Sequence, residues 1–343
     1  MKITENNKLK IVISVGDESG IGPEIILKAL SSKEIPTNVD FIIVGSKINL
    51  QNTYAHLKNL GLENLANPNN LEIHDLNISS SDNESKSSFG NSSFYYLTKA
   101  IEIVKHYPNS GLVTGPICKK SWSLAGHHFA GQTEVLAKSC EVKNFGMLFT
   151  AKSPITGWRF NTLLATTHIP LCEVPKKLNK KLIHAKLDLF KKFCNAYTEK
   201  PILKVAGLNP HAGEEGFLGT EERDWLIDAL ITWNQKNRDI QLLGPLSPDS
   251  CWNSSGKAWR HNDAEQHDGI LAMYHDQGLI PMKVIAFNYS VNTTIGLPFV
   301  RTSPDHGTGF DIAGKGIAQS QSMTEAIKTA IEMTRNSRLL NAH

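Results

Sequence analysis

The chain has 343 residues, enough for about two ordinary domains and for a core that needs no disulfides. Its 40% hydrophobic and 20% charged residues are ordinary for a globular protein, and a net charge of +3 argues against nucleic acid as a main partner. No apolar run reaches the length of a membrane span and the opening MKITENNKLK lacks the apolar centre of a secretory signal, so a cytoplasmic protein is expected. Cys118, Cys140, Cys172, Cys194 and Cys251 are scattered and form no C-x-x-C pair, so they read as mostly buried small apolar side chains.

The β-branched run Lys10–Val15 predicts a first strand, and Gly16–Gly20 a turn. Pro23 suits the start of a helix whose apolar face is Ile25, Ile26, Ala29 and Leu30. Phe41–Val44 reads as a second strand, and this rhythm points to a mostly parallel sheet covered by helices. Asn77–Ser93, rich in Ser and Asn, reads as a surface loop ahead of a helix over Phe94–Val104. Further strands are expected at Leu112–Thr114, Phe145–Thr150, Leu163–Thr166, Ile202–Ala206, Gln241–Leu243, Ile270–Met273 and Val284–Phe287. Asn179–Cys194 and Glu221–Trp233 are expected as helices. Ser322 and Glu325 form a capping-box pattern before a last helix that turns Met323, Ala326, Ile327, Ala330 and Ile331 to the core.

Three segments place a histidine among loop formers directly after an apolar strand: ATTHIP with His168, GLNPHAG with His211 and AMYHDQG with His275. In open α/β sheets ligands bind beyond the carboxyl ends of strands, and a neutral imidazole there can bind a divalent ion. A single histidine near a strand end is more often structural, and no H-x-x-x-H or H-E-x-x-H pattern ties the three together, so spacing leaves both readings open. Lys283, Asn292 and Arg301 are spaced polar groups that can clamp a phosphate or carboxylate. Glu221 and Glu222 suit the first turn of a helix, a use that needs no catalysis. The glycine-rich run from Asp305 to Gly314 can bring backbone amides close to phosphates, while G-x-G-x-x-G and P-loop patterns are absent.

Together these segments resemble the 4-hydroxythreonine-4-phosphate dehydrogenase family of vitamin B6 biosynthesis. The resemblance runs from about Val12 to Ala318 through GDESGIGPEI, LVTGPICKK, GQTEVLA, ATTHIPL, GLNPHAGEEGFLGTEE, AMYHDQGLIPMK and VNTTIGLPFVRTSPDHGTGFDIAGKG. It implies an α/β, two-domain fold similar to isocitrate and isopropylmalate dehydrogenases. Residues 1–130 with 250–343 would form the cofactor-side domain, and 131–249 a second domain for metal and dimerisation. It also implies a homodimer with a shared active site, and NAD-dependent oxidative decarboxylation of 4-phosphohydroxy-L-threonine to 3-amino-2-oxopropyl phosphate.

By motif, His168, His211 and His275 become ligands of a divalent ion, zinc foremost, with magnesium or cobalt as alternatives. Gln132, Thr133, Lys283, Asn292 and Arg301 become substrate-binding, and Asp249, Asp268 and Lys283 candidate catalytic groups. His306, Gly307, Thr308 and Asp311 lie in the stretch that would meet NAD or NADP. The chain departs from the family at Gln132, where GHTE is usual and GQTE stands here, and at Asp17-Glu18-Ser19, where Asp-Pro-Ala is common. Glutamine hydrogen-bonds but carries no charge, so turnover or specificity is the property at stake. Three alternatives stand beside this reading. They are the same chemistry on a threonate or erythronate 4-phosphate, oxidation of a non-phosphorylated hydroxy acid, and a non-catalytic metabolite-binding protein.

Overall fold

The computed structural model describes residues 8–76 and 85–341, with side chains to residue 336. The chain forms two compact units, Met1–Lys143 with Leu297–His343, and Asn144–Gly296. The expected boundaries after residues 130 and 249 are therefore displaced: the crossings fall after Lys143 and Gly296. That displacement puts His275, Lys283 and Asn292 in the same unit as His168 and His211.

In the first unit, strands β1 (Lys10–Ser14), β2 (Asp40–Gly45), β3 (Glu72–Asp75), β4 (Ser110–Thr114) and β11 (Val300–Pro304) are numbered along the chain. They lie in the order β3-β2-β1-β4-β11 and all run parallel. The helices are α1 (Gly22–Leu30), α2 (Lys47–Asn59), α3 (Lys86–His106), α4 (Lys119–Leu124), α5 (Gln132–Ser139) and α11 (Gln321–Asn341). β1 is buried on both faces through Ile11, Val12 and Ile13, as a strand covered on both sides must be. The predicted core face of α11, Met323 to Ile331, is buried throughout.

The second unit has β5 (Gly146–Lys152), β6 (Arg159–Leu164), β7 (Ile202–Ala206), β8 (Gln241–Leu246), β9 (Gly269–Ala272) and β10 (Val291–Ile295). Their order is β10-β5-β6-β9-β7-β8; β6, β9, β7 and β8 run parallel, and β5 is antiparallel to both its neighbours. The helices are α6 (Val174–Lys177), α7 (Lys180–Cys194), α8 (Ile227–Lys236), α9 (Asn253–Arg260) and α10 (His275–Ala286). Phe149, Phe160, Trp252, Trp259, Ile270 and Met282 form part of its core. Among the described residues no helix is long and apolar enough to cross a membrane.

Several expectations fail for identifiable reasons. Residues 77–84 of the expected loop lie outside the described residues, but 86–93 begin α3, capped by Ser85. The small residues there are packing residues: a side chain on Gly90 would strike the Ser121 backbone, and the Trp122 indole donates to Ser93 Oγ at 2.9 Å. Close helix approach demands the composition that otherwise marks a loop.

Val284–Phe287 is the end of α10 and the turn after it, not a strand. The buried positions Leu279, Met282 and Ala286 recur at helical spacing while Val284 and Phe287 are exposed, a distinction a short apolar run cannot carry. Ser322 is not a cap: α11 begins a residue earlier, and the Ser322 hydroxyl accepts from the Asp305 amide at 3.0 Å. Only Cys194 and Cys251 are buried; Cys118 and Cys140 are half-buried and Cys172 is exposed.

Candidate active site

In the second unit β6, β9 and β7 are parallel neighbours, so their carboxyl ends share one edge. His168 follows β6, His275 follows β9 and His211 follows β7, which places all three predicted ligands on that edge. A chain of hydrogen bonds joins the three loops. Thr166 Oγ1 donates to Met273 O at 2.7 Å, the Met273 amide to Gln277 Oε1 at 2.6 Å, and Gln277 Nε2 to Gly207 O at 2.7 Å. Gln277 is buried, so its carboxamide is a fixed strut between the β9 and β7 loops.

The imidazoles of His168 and His275 lie with ring centroids 5.4 Å apart. Asp276 Oδ1 is 2.8 Å from His275 Nδ1, which leaves Nε2 unengaged by that carboxylate, an arrangement that metal-binding histidines commonly have. Two of the three predicted ligands are thus brought together. His211 shares their edge, but no group of three metal-binding side chains converges among the described residues. In donor type, three imidazoles suit a borderline divalent ion such as zinc. Asp249 lies beyond β8 on the same edge, its carboxyl held below the usual range first by the Ser247 hydroxyl, with a smaller contribution from His211.

Asp268 is at the other edge. It precedes β9, and its carboxylate accepts from Thr198 Oγ1 at 2.8 Å and the Ile202 amide at 2.7 Å. It pins the start of β7 instead of facing the histidines; Asp276 is the acid beside the site. Lys283 is eight residues beyond His275 on α10, roughly 12 Å along the axis, with Nζ 5.6 Å from the Phe287 ring centroid. Asn292 on β10 is level with Phe149 of β5 and Thr162 of β6, away from the histidine edge, and its Oδ1 is buried with no hydrogen-bond partner.

In the first unit Arg301 sits on β11 beside β4, almost wholly buried. Its Nη2 donates to Thr114 Oγ1 at 2.7 Å and, more weakly, to Gln132 Oε1 at 3.4 Å. Gln132 Nε2 donates to Gly115 O at 2.9 Å. Gln132 opens α5, with Thr133 buried next to it. Burial pulls the Arg301 pKa down to about 10, against a smaller opposing effect of Glu134, so the guanidinium remains charged near neutrality.

The loop carrying His306, Gly307, Thr308 and Asp311 leaves β11 and packs on the turn after β1, where the Ile21 amide donates to Thr308 O at 2.8 Å. Side chains of α1 and α2 grip its far end. Lys28 Nζ donates to Gly316 O and Ala318 O, Glu24 accepts from the Ala318 amide, and His56 Nε2 lies 2.7 Å from Gly314 O. In the adjoining turn Glu18 accepts from the Ser46 amide, and burial raises its carboxyl pKa, so the departure from Asp-Pro-Ala is tied into the fold.

Residues that sequence reasoning missed are Asp276, Gln277 and the loop-binding role of Glu222. Asp276 and Gln277 adjoin His275 in HDQG, a signal open to reading. Glu222 is 2% exposed and its Oε1 takes the Leu208 and Asn209 amides at 2.6 and 2.8 Å, contacts across fourteen and thirteen residues that no local pattern announces.

These features define an α/β protein with polar groups assembled at the carboxyl edge of its second unit and a buried, hydrogen-bonded arginine in its first. The family model described as pyridoxal phosphate biosynthetic protein PdxA matches residues 37–330. A 4-hydroxythreonine-4-phosphate dehydrogenase of Synechococcus sp. (strain RCC307) is 48% identical over 328 residues, covering 94% of this chain and 99% of its own. The protein of that name from Nostoc sp. (strain PCC 7120) is 48% identical over 342 residues, covering 94% and 92%. The crystal structure of 4-hydroxythreonine-4-phosphate dehydrogenase from Klebsiella pneumoniae superposes with a TM-score of 0.79 at 30% identity, covering 95% of this chain and 98% of that one. The chain belongs to the PdxA family of pyridoxal phosphate biosynthesis.

Proposed function

We propose that this protein oxidises and decarboxylates 4-phosphohydroxy-L-threonine, with NAD or NADP, to give 3-amino-2-oxopropyl phosphate and carbon dioxide. The observation that carries the reading is the placement of His168, His275 and His211 at the ends of three adjacent parallel strands. Its relatives carry the name of that activity. The fold is read as similar to isocitrate and isopropylmalate dehydrogenases, which supports assigning the nicotinamide cofactor to the loop of His306, Gly307, Thr308 and Asp311.

The three histidines would hold a divalent ion, zinc foremost, with magnesium or cobalt as alternatives. When bound, the ion supplies Lewis-acid polarisation of the C3 hydroxyl and of the carbonyl that replaces it, and the nicotinamide supplies the hydride acceptor. The substrate loses hydride from C3 to the nicotinamide and its hydroxyl proton to a base. The bond between C2 and the carboxylate of the resulting β-keto acid then breaks, carbon dioxide leaves, the bonding pair passes into the C3 carbonyl as an enolate, and C2 takes up a proton to give the ketone product. Asp276 orients His275, and Asp249, ionised at neutral pH, is the base placed to take the hydroxyl proton. Arg301 binds an anionic end of the substrate, held in direction by Thr114 and Gln132 with Thr133 alongside. The partnerless oxygen of Asn292 suits a substrate donor. Lys283 supplies a second cation.

The active site is shared in a homodimer, so residues distant from the histidines of one chain can serve the other. Ile280 and Val284 on α10 and Phe287 directly after it, all exposed, support such an interface. Purified protein with 4-phosphohydroxy-L-threonine, NAD and zinc tests the proposal. NADH and carbon dioxide in equal amounts, abolished by a chelator, are expected. Folded, zinc-loaded protein that makes neither overturns it.

A further inference from the structure

We infer that Glu222 is a positioning residue for the divalent-ion site, its buried carboxylate locking the left-handed turn that presents His211. The inference rests on the metal reading proposed above. Five consecutive residues after β7 have positive φ: His211 at 51°, Ala212 at 53°, Gly213 at 82°, Glu214 at 43° and Glu215 at 56°. Only one is glycine. A left-handed residue with a Cβ is sterically strained, and such residues ordinarily occur singly. A run of them persists only where its surroundings over-determine it.

Glu222 provides that constraint. Oε1 takes the backbone amides of Leu208 and Asn209 at 2.6 and 2.8 Å, and Oε2 takes Asn209 Nδ2 at 2.8 Å. Asn209 Nδ2 also donates to Glu221 Oε2 at 2.7 Å, so both acids at the end of the segment hold its start. The turn is packed onto the carboxylate itself: a Cβ on Gly213 would lie 2.9 Å from Glu222 Oε2 and 2.7 Å from Gly219 O. Glu222 also opens a π turn, Glu222–Leu226, a winding found mostly at functional sites. A connection that only had to lead from β7 to α8 needs no left-handed run. This one fixes the direction in which His211 leaves the strand edge, and the buried carboxylate oxygens are in turn satisfied by donors from the loop they fix.

The test measures zinc affinity of the full-length protein by competition with a chromophoric chelator, alongside the unfolding midpoint without zinc and amide exchange over residues 207–216. Glu222→Ala is expected to weaken zinc binding roughly 10–100-fold, the range for supporting residues of metal sites. Glu222→Gln keeps an oxygen for the Leu208 and Asn209 amides and is expected to lose less. Exchange over 207–216 should quicken in both, and zinc affinity should fall further than the metal-free midpoint accounts for. If Glu222→Ala does not fold, Glu222→Gln and Gly213→Ala, which presses a methyl on the carboxylate, carry the test. Folded variants with wild-type zinc affinity overturn the inference. His211→Ala separates the two readings. Loss of zinc there with Glu222 variants unaffected sinks only the role of Glu222; wild-type affinity in His211→Ala sinks the metal reading and this inference with it.

Discussion

Two loops of this protein solve the same problem in opposite ways. The loop after β11 turns at Gly309, Gly314 and Gly316, whose positive φ values meet no Cβ penalty, and it is gripped from outside by Glu24, Lys28 and His56. The loop after β7 carries an unbroken left-handed run, residues 211–215, of four residues with side chains and one glycine, and is held from within by Glu222. The first keeps its backbone unstrained and close to whatever it binds; the second spends hydrogen bonds to aim one imidazole. Where a backbone must approach a ligand glycine serves, and where a side chain must be aimed the strain is carried by a buried acid.

The strongest way to break the comparison is to release the outer grip. Glu24 is 2% exposed and bonded to Lys28 at 2.6 Å and to the Ala318 amide at 2.9 Å. Glu24→Ala leaves the buried Ala318 amide without its acceptor and Lys28 without this carboxylate, and should cost about 3 kcal/mol in urea unfolding, with cofactor affinity falling as the loop loosens. An unchanged midpoint would mean the loop holds itself.

The second test contrasts the two ends of β9. His275 at the carboxyl end faces the site, whereas His267 at the amino end is buried, with Ser255 Oγ 3.2 Å from Nε2 and a pKa lowered to about 3 by burial. A folded pKa below the unfolded value near 6.5 means the unfolded chain binds the extra proton. That stability is complete above pH 6.5 and is lost as pH falls toward 3, at roughly 1.4 kcal/mol per unit. Between pH 7 and 5 His267→Gln should lose about 2 kcal/mol less than the parent; an identical pH dependence contradicts the assignment.

The smallest effects are the sharpest. Gly309→Ala, at φ 52°, should destabilise by about 1 kcal/mol, whereas Ala212→Gly, at φ 53°, should relieve strain and be neutral or stabilising by a similar amount. Matched signs in thermal unfolding would erase the distinction between the loops.

What the sequence discloses follows the range of the forces involved. β7 lies where its β-branched run predicts, α7 begins after Asn179 as expected, and the buried face of α11 reads from spacing alone, because each depends on nearby residues. The start of α3 escapes because helix packing selects the small polar residues that also make loops, and the Ser322 hydroxyl serves the distant Asp305 amide. In the site, the histidines are legible as residues that follow strands, but their common edge depends on the strand order β6-β9-β7, which no local pattern contains. Asp268 misleads because its neighbours in sequence belong to the site while its carboxylate faces the opposite edge.

The most direct measurement is X-ray absorption at the zinc edge of the zinc-loaded full-length protein. The account predicts three imidazole nitrogens at about 2.0–2.1 Å, with one lost in each of His168→Ala, His211→Ala and His275→Ala. A shell of carboxylate oxygens or cysteine sulfur, unchanged by those substitutions, would contradict it.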